Sequence, residues 1–211
     1  VQYLLGRTHA ARTAARPVLG EGGEELRPAV NAADRARRRA ELRQEVLRLF
    51  APPLAGCAVA MAAAFLAGGR LFTFGNGGSG ADAVSVARLF SRSGLPALSL
   101  ADEPPLLPAL GHDVGFEVAF SRQLGAFGRA GDLAMALSTG GGSDNVLSGL
   151  AEARRCGMTT IGLAGPGGGR MAQDDLVDHL FAVPASTIRR IQAAQSTLCH
   201  LLWELVSTDP A

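Results

Sequence analysis

Lysine is absent from the 211 residues; all twenty basic side chains are arginine. That excludes Schiff-base catalysis by a lysine and the lysine of a P-loop. Aromatic residues make up 5% of the chain, with one Trp and one Tyr. An apolar chain this poor in aromatics and rich in Ala and Gly favours closely packed helices and tight strand-to-helix turns over an all-β fold. Nineteen acidic residues leave a formal charge of +1, so no global field draws nucleic acid or a membrane surface. The three cysteines, Cys57, Cys156 and Cys199, are odd in number and lack metal-type spacing. They read as buried or free thiols in a reducing compartment. No apolar run is expected to reach the ~20 residues of a membrane span, the stretch from Ala55 to Gly68 being too short. The N-terminus shows no apolar segment followed by a cleavage site. A cytoplasmic protein is the expectation.

What is present is an alternating pattern. The length suits one α/β domain. Residues 1–30 read as a poorly defined N-terminal arm, and 31–211 as a single domain with helices over 31–68 and a sheet over 69–211. Asn31 is placed to cap a helix running to Phe50. Pro52 and Pro53 are expected to end it, with a second, Ala-rich helix to about Leu66. The Arg-rich stretch from Arg35 to Arg39 reads as a solvated face, not a nucleic-acid patch. Short apolar strands follow at Arg70 to Phe74, Pro96 to Leu100, Asp132 to Leu137, Thr159 to Ala164 and His179 to Val183. Helices separate them, ending at about Arg92, Phe127 and Arg155, and a last helix spans Thr187 to Val206. Strands alternating with helices in this way predict a parallel sheet covered on both faces.

Two strand-to-helix turns carry the chemistry. The first reads Gly75-Asn76-Gly77-Gly78-Ser79-Gly80. Glycines let the backbone come close to a ligand, and the following helix aims free N–H groups and its positive dipole end at it. This loop also fits G-x-G-x-x-G, and Asp102 stands where a dinucleotide fold puts its ribose-binding acid. An NAD(P)-binding oxidoreductase is therefore an open reading. The second loop, Ser138-Thr139-Gly140-Gly141-Gly142-Ser143, adds three hydroxyls and has no counterpart in that fingerprint. Two such loops on separate parallel strands favour a shared site for an anion such as a phosphate monoester.

These loops, with Gly111-His112-Asp113-Val114-Gly115-Phe116 and Arg190-Ile191-Gln192, stand in the order and spacing of the sedoheptulose-7-phosphate isomerase family, which the chain resembles from about Asn31 to Val206. The resemblance implies a three-layer sugar-isomerase (SIS) fold with a five-stranded parallel sheet, assembled as a homotetramer with sites between subunits. It also implies that a phosphorylated sugar, a heptose or similar, lies against Asn76, Gly77, Gly78, Ser79, Asp113, Ser138, Thr139, Ser143 and Gln192. Active members of the family hold zinc on a His and a Glu of the helix after the first loop and on a Gln and a His of the last helix. They move a proton with the Glu and the last-helix His.

By that resemblance Gln192 and His200 match the last-helix pair, with His200 as the catalytic candidate. The first-helix positions read Ser85 and Leu89. Leucine takes no proton, and two ligands make an incomplete zinc site. Asp82, one turn before Ser85, and His112 are the available substitutes. Gly140 stands where the family has Ser, which removes one hydroxyl from the phosphate cradle. Three functions follow. The chain binds a phosphosugar without zinc chemistry, as a regulator or as partner of a related SIS or regulatory protein. Alternatively it is a working aldose–ketose isomerase on sedoheptulose 7-phosphate or another sugar phosphate, or else the NAD(P) oxidoreductase.

Overall fold

The computed structural model describes residues 32–102 and 115–207. The chain divides into two units, residues 1–37 and residues 38–211. Little of the first is described; within it Arg37 donates to Asp34 at 2.6 Å. The expectations for the N-terminal arm, for Asn31 as a cap, and for His112 and Asp113 fall outside the described residues.

Helix α1 spans Ala32–Leu66. It is followed by β1 (Leu71–Gly75), α2 (Gly77–Arg92) and the short strand β2 (Ala97–Ser99). A 3-10 turn, Phe116–Val118, leads into α3 (Ala119–Phe127), then β3 (Leu133–Ser138) and α4 (Asp144–Arg155). The chain closes with β4 (Thr159–Ala164), the single turn α5 (Arg170–Gln173), β5 (His179–Ala182) and α6 (Ile188–Ser207).

The strands form a five-stranded, all-parallel sheet in the order β2-β1-β3-β4-β5. Its central strand β3 is buried at all six positions, which is why Leu133 to Leu137 reads as an unbroken apolar run. Strand alternation divides the core. Leu71 of β1, Leu133, Met135 and Leu137 of β3, and Ile161 and Leu163 of β4 pack with α1, α2 and α6. Phe72, Phe74, Ala134, Ala136 and Ala164 face the other way, against α3 and α4. The result is the three-layer α/β arrangement expected from the sequence.

One expectation is corrected. Pro52 and Pro53 lie inside α1 and do not end it. A proline in a helix interior costs about 3 kcal/mol. Against that, Val46, Leu54, Cys57 and Met61 are buried along one face on both sides of the pair, and Phe50 meets the Phe181 ring edge-on at 5.9 Å. Each large side chain so buried contributes about 1.5–3 kcal/mol, enough to carry the helix through. The merger also corrects the apolar-run expectation. Ala33–Leu66 forms one helix long and apolar enough, by length and composition alone, to cross a membrane.

The N-terminal ends of the central strands are tied by Asp132, which is 3% exposed. It accepts from Arg70 N at 2.8 Å, Arg70 Nη2 at 2.7 Å and Arg129 N at 3.1 Å. The opposite, C-terminal ends carry the loops of interest.

Candidate functional site

From β1 the chain crosses through α2 to β2 on one side, and from β3 through α4 to β4 on the other. The sheet order therefore reverses between β1 and β3, and a crevice opens above their C-terminal ends, where open α/β sheets bind ligands. Both loops singled out from the sequence converge there. A cavity of about 340 Å³ is lined by Asn76, Ser79, Leu137, Ser138, Thr139, Gly140, Gly142 and Ser143.

Both helix starts are left open towards this cavity. Asn76 is the N-cap of α2 and Ser143 the N-cap of α4, yet neither side chain bonds its own helix. An N-terminus without a side-chain cap leaves first-turn N–H groups available to a ligand. The Asn76 amide turns sideways instead. It exchanges two hydrogen bonds of 2.8 Å with Asn145, which is 3% exposed. Ser138 Oγ accepts from Gly141 N at 3.1 Å, closing the second loop on itself.

A third glycine loop, missed in the sequence, braces the second. It follows β4 and reads Gly165-Pro166-Gly167-Gly168-Gly169. A Cβ at Gly165 would strike the Thr139 carbonyl, and one at Gly169 the Gly140 carbonyl. Met171 N donates to Gly141 O at 3.0 Å, and Arg170 reaches Asp144 at 2.6 Å. The signal was present, since this is a third glycine-rich segment at a strand C-terminus, following the pattern of the first two.

Gln192 and His200 lie eight residues apart on α6. The Gln192 amide sits against Gly78, where a Cβ would come within 2.5 Å of Nε2, and this same nitrogen is 3.5 Å from Asp82 Oδ2. Burial pushes the Asp82 carboxyl above its ordinary value, partly offset by that contact. A cavity of about 270 Å³ between α2 and α6 is lined by Asp82, Ser85, Leu89, Ser196 and His200, with Arg88 and Arg92 beside them. Ser85 Oγ donates to Ala81 O at 3.0 Å, and His200 Nδ1 lies 2.8 Å from Ser196 O.

These residues do not fit a zinc centre. Among the described residues no three His, Cys, Asp or Glu side chains are grouped so as to hold a metal. Leu89 offers no lone pair, and the Ser85 hydroxyl is engaged with its own helix. A larger cavity, about 490 Å³, lies along β2 between Leu98, Gln123 and Phe127. None of its lining residues belongs to either glycine loop, and Asp102, which lines it, is paired with Arg88 at 2.9 Å. The dinucleotide reading loses its support here, because the order 2-1-3-4-5 is not the 3-2-1-4-5-6 order of that fold.

The fold and its crevice define a class before any particular member. Residues 36–165 match the SIS domain family. Within that class, the chain is 39% identical to the phosphoheptose isomerase of Aquifex aeolicus over 176 residues, which is 81% of this chain and 91% of the relative. It is 42% identical to that of Rhodospirillum rubrum over 162 residues, 74% and 85% of the two chains. The solved phosphoheptose isomerase of Neisseria gonorrhoeae superposes with a TM-score of 0.76 at 32% identity, covering 84% of this chain and 97% of its own. That of Francisella tularensis gives 0.75 at 27% identity, covering 85% and 100%. The chain belongs to the phosphoheptose isomerase family of SIS-domain proteins.

Proposed function

We propose that this chain binds a phosphorylated sugar, a heptose phosphate or one like it, above β1 and β3 and without a zinc centre. The phosphate rests on the N-termini of α2 and α4, held by Gly77, Gly78, Ser79, Ser138, Thr139 and Ser143, while Asn76 and Gln192 face the sugar. The observation that carries the reading is the pair of N-caps whose side chains leave their own helices uncapped towards one cavity. Hydroxyls and backbone N–H groups hold a phosphate monoester without lysine or arginine. The chain works as a homotetramer in the cytoplasm, a reading that rests on the family resemblance and, for the compartment, on three free thiols.

A second reading, metal-independent isomerisation, is favoured by Asp82 and His200 lining one cavity. Asp82 would take the proton beside the sugar carbonyl and return it to the neighbouring carbon, with His200 serving the oxygens. One experiment separates the two. The protein is mixed with sedoheptulose 7-phosphate in heavy water and followed by NMR, beside Ser143→Ala. Shifts on binding without deuterium entering next to the carbonyl support a binding protein. Exchange that survives a chelator and stops with Asp82→Asn supports the metal-independent isomerase. No binding at all overturns both.

A further inference from the structure

The side chains around the α2–α6 cavity, of about 270 Å³, are sorted by charge along its length. Asp82, Ser85, Leu89 and Arg92 stand at i, i+3, i+7 and i+10 of α2, the spacing of one helix face. Helix α6 runs beside α2 in the same direction, with Gln192 against Gly78 and Trp203 Nε1 donating to Ser93 Oγ at 2.8 Å. Asp82 is therefore at the end nearest the first glycine loop, where Gln192 Nε2 lies 3.5 Å from it. Arg92 and His200 stand at the other end.

That far end carries an unbalanced positive charge. Arg88 is neutralised by Asp102 at 2.9 Å, and on the α1 side Arg43 is held by Glu204 at 3.0 Å. Arg92 has no ion-pair partner among the described residues, and neither has Arg39 in an adjoining cavity of about 510 Å³. His200 lines both cavities. Its Nδ1 faces the Ser196 carbonyl at 2.8 Å, and a carbonyl only accepts, so Nδ1 carries the proton and Nε2 is left for another partner. Asp82 is the one carboxyl lining the α2–α6 cavity among the described residues. Burial holds it above its ordinary value, so it gives up its charge more readily than an exposed carboxylate.

The cavity is also within reach of a ligand seated on the glycine loops. Ser79 lines the phosphate cradle and Ser85 the α2–α6 cavity, a rise of about 9 Å along the same helix. Helical side chains lean back towards the N-terminus, so Arg92 reaches over Leu89 in the direction of Ser85. An extended hexose or heptose chain with its phosphate in the cradle spans that rise and brings its first carbon to this end.

We propose that the far end of this cavity holds a carboxylate of the ligand, so that the chain selects a phosphorylated sugar acid over a neutral sugar phosphate. The phosphate rests on the glycine loops, and the acid group on the first carbon meets the Arg92 guanidinium, with His200 beside it. The inference rests on the phosphosugar reading and adds the chemistry of the ligand's other end. A guanidinium presents parallel N–H donors that match the two oxygens of a carboxylate. Val86 and Leu89, which line the same cavity, keep water from one side of the pair and so strengthen it. A hydroxymethyl group at the same place offers Arg92 no charge and gains none of this.

The test is titration calorimetry of the full chain, with a chelator present, against two ligands that differ only at the first carbon. D-Gluconate 6-phosphate ends there in a carboxylate and D-glucitol 6-phosphate in a hydroxymethyl group. The acid is expected to bind about tenfold tighter or more, the value of a charge-assisted hydrogen bond. Arg92→Gln brings the two ligands to within about threefold of each other, and Arg92→Lys keeps part of the difference. Arg48→Gln makes the same change of charge on α1 outside both cavities and keeps all of it. Arg92 is exposed, so its variants are expected to match the wild type by circular dichroism. Equal affinities in the wild type, or an acid preference that survives Arg92→Gln, overturn this inference and leave the phosphosugar reading standing. Failure of both ligands to bind overturns the two together. D-Fructose 1,6-bisphosphate is titrated beside D-fructose 6-phosphate. A gain there with none for the acid would assign the far end to a second phosphate and overturn the carboxylate.

Discussion

Asn76 and Asn145 face each other amide to amide across the β1–β3 crevice, each donating to the other at 2.8 Å. The pair joins the first glycine loop to the first turn of α4. It also explains why Asn76, although at an N-cap, leaves its own helix uncapped. Replacing Asn145 by Ala strands a half-buried amide, at a cost of about 1–3 kcal/mol. In a domain of this size that lowers the melting temperature by several degrees, at about 2–4 °C per kcal/mol. Affinity for a sugar phosphate falls as well, because Asn76 loses its orientation. An unchanged melting temperature by calorimetry would show that the pair contributes nothing.

Gly140 and Gly165 should respond in opposite senses. A Cβ at Gly140 meets nothing within 4 Å, whereas one at Gly165 runs into the Thr139 carbonyl. Gly140→Ser restores a hydroxyl to the cradle and tightens phosphate binding by roughly fivefold, the value of one net hydrogen bond of about 1 kcal/mol. Gly165→Ala displaces the second loop and weakens binding by tenfold or so, if the shift costs about 1.4 kcal/mol. Titration calorimetry with inorganic phosphate and a sugar phosphate reads both.

The misfit to zinc is tested by repair. The wild type, equilibrated with zinc and then passed through a chelating column, is expected to retain almost none. The double variant Ser85→His with Leu89→Glu puts an imidazole and a carboxylate beside His200 in the α2–α6 cavity. It should hold close to one equivalent by elemental analysis. Stoichiometric zinc in the wild type would refute the reading of these residues.

Asp82 carries a pH signature. Its carboxyl is raised above the ordinary value of about 3.9 by burial, so the folded state binds that proton more tightly than the unfolded chain. The resulting stabilisation is complete below the unfolded value and is lost as pH rises through the raised folded value. Asp82→Asn has no such loss. Its melting temperature relative to wild type should therefore climb from pH 4 to neutral pH. A difference that stays constant with pH counts against a desolvated carboxyl at this position.

The thiols are expected to separate into two groups. Cys57 and Cys199 are buried in the core, and burial pushes both up to about 12. Cys156 is half-buried. An aromatic disulfide reagent at pH 8 should titrate one thiol in the native protein and three after denaturation. Three rapid native equivalents would mean that the core around α1 and α6 opens readily.

The sequence by itself determined the α/β class and both glycine-rich strand-to-helix loops. Strand periodicity and glycine-rich turns are local properties, written in neighbouring residues such as Gly75 to Gly80. The resemblance to the isomerase family marked Ser85 and Leu89 as substituted positions, and helical spacing puts both on the face that carries Asp82. Tertiary structure decided the rest. Pro52 and Pro53 are helix breakers by local rule, and only the burial of Leu54, Cys57 and Met61 against the sheet overrides them. That the two loops share one crevice follows from the strand order, which no single strand encodes. The bracing of Thr139 and Gly140 by Gly165 and Gly169, and of Asn76 by Asn145, joins residues far apart in the chain. Such contacts depend on which strands become neighbours, a choice made by the burial of the whole sheet and not by any local segment.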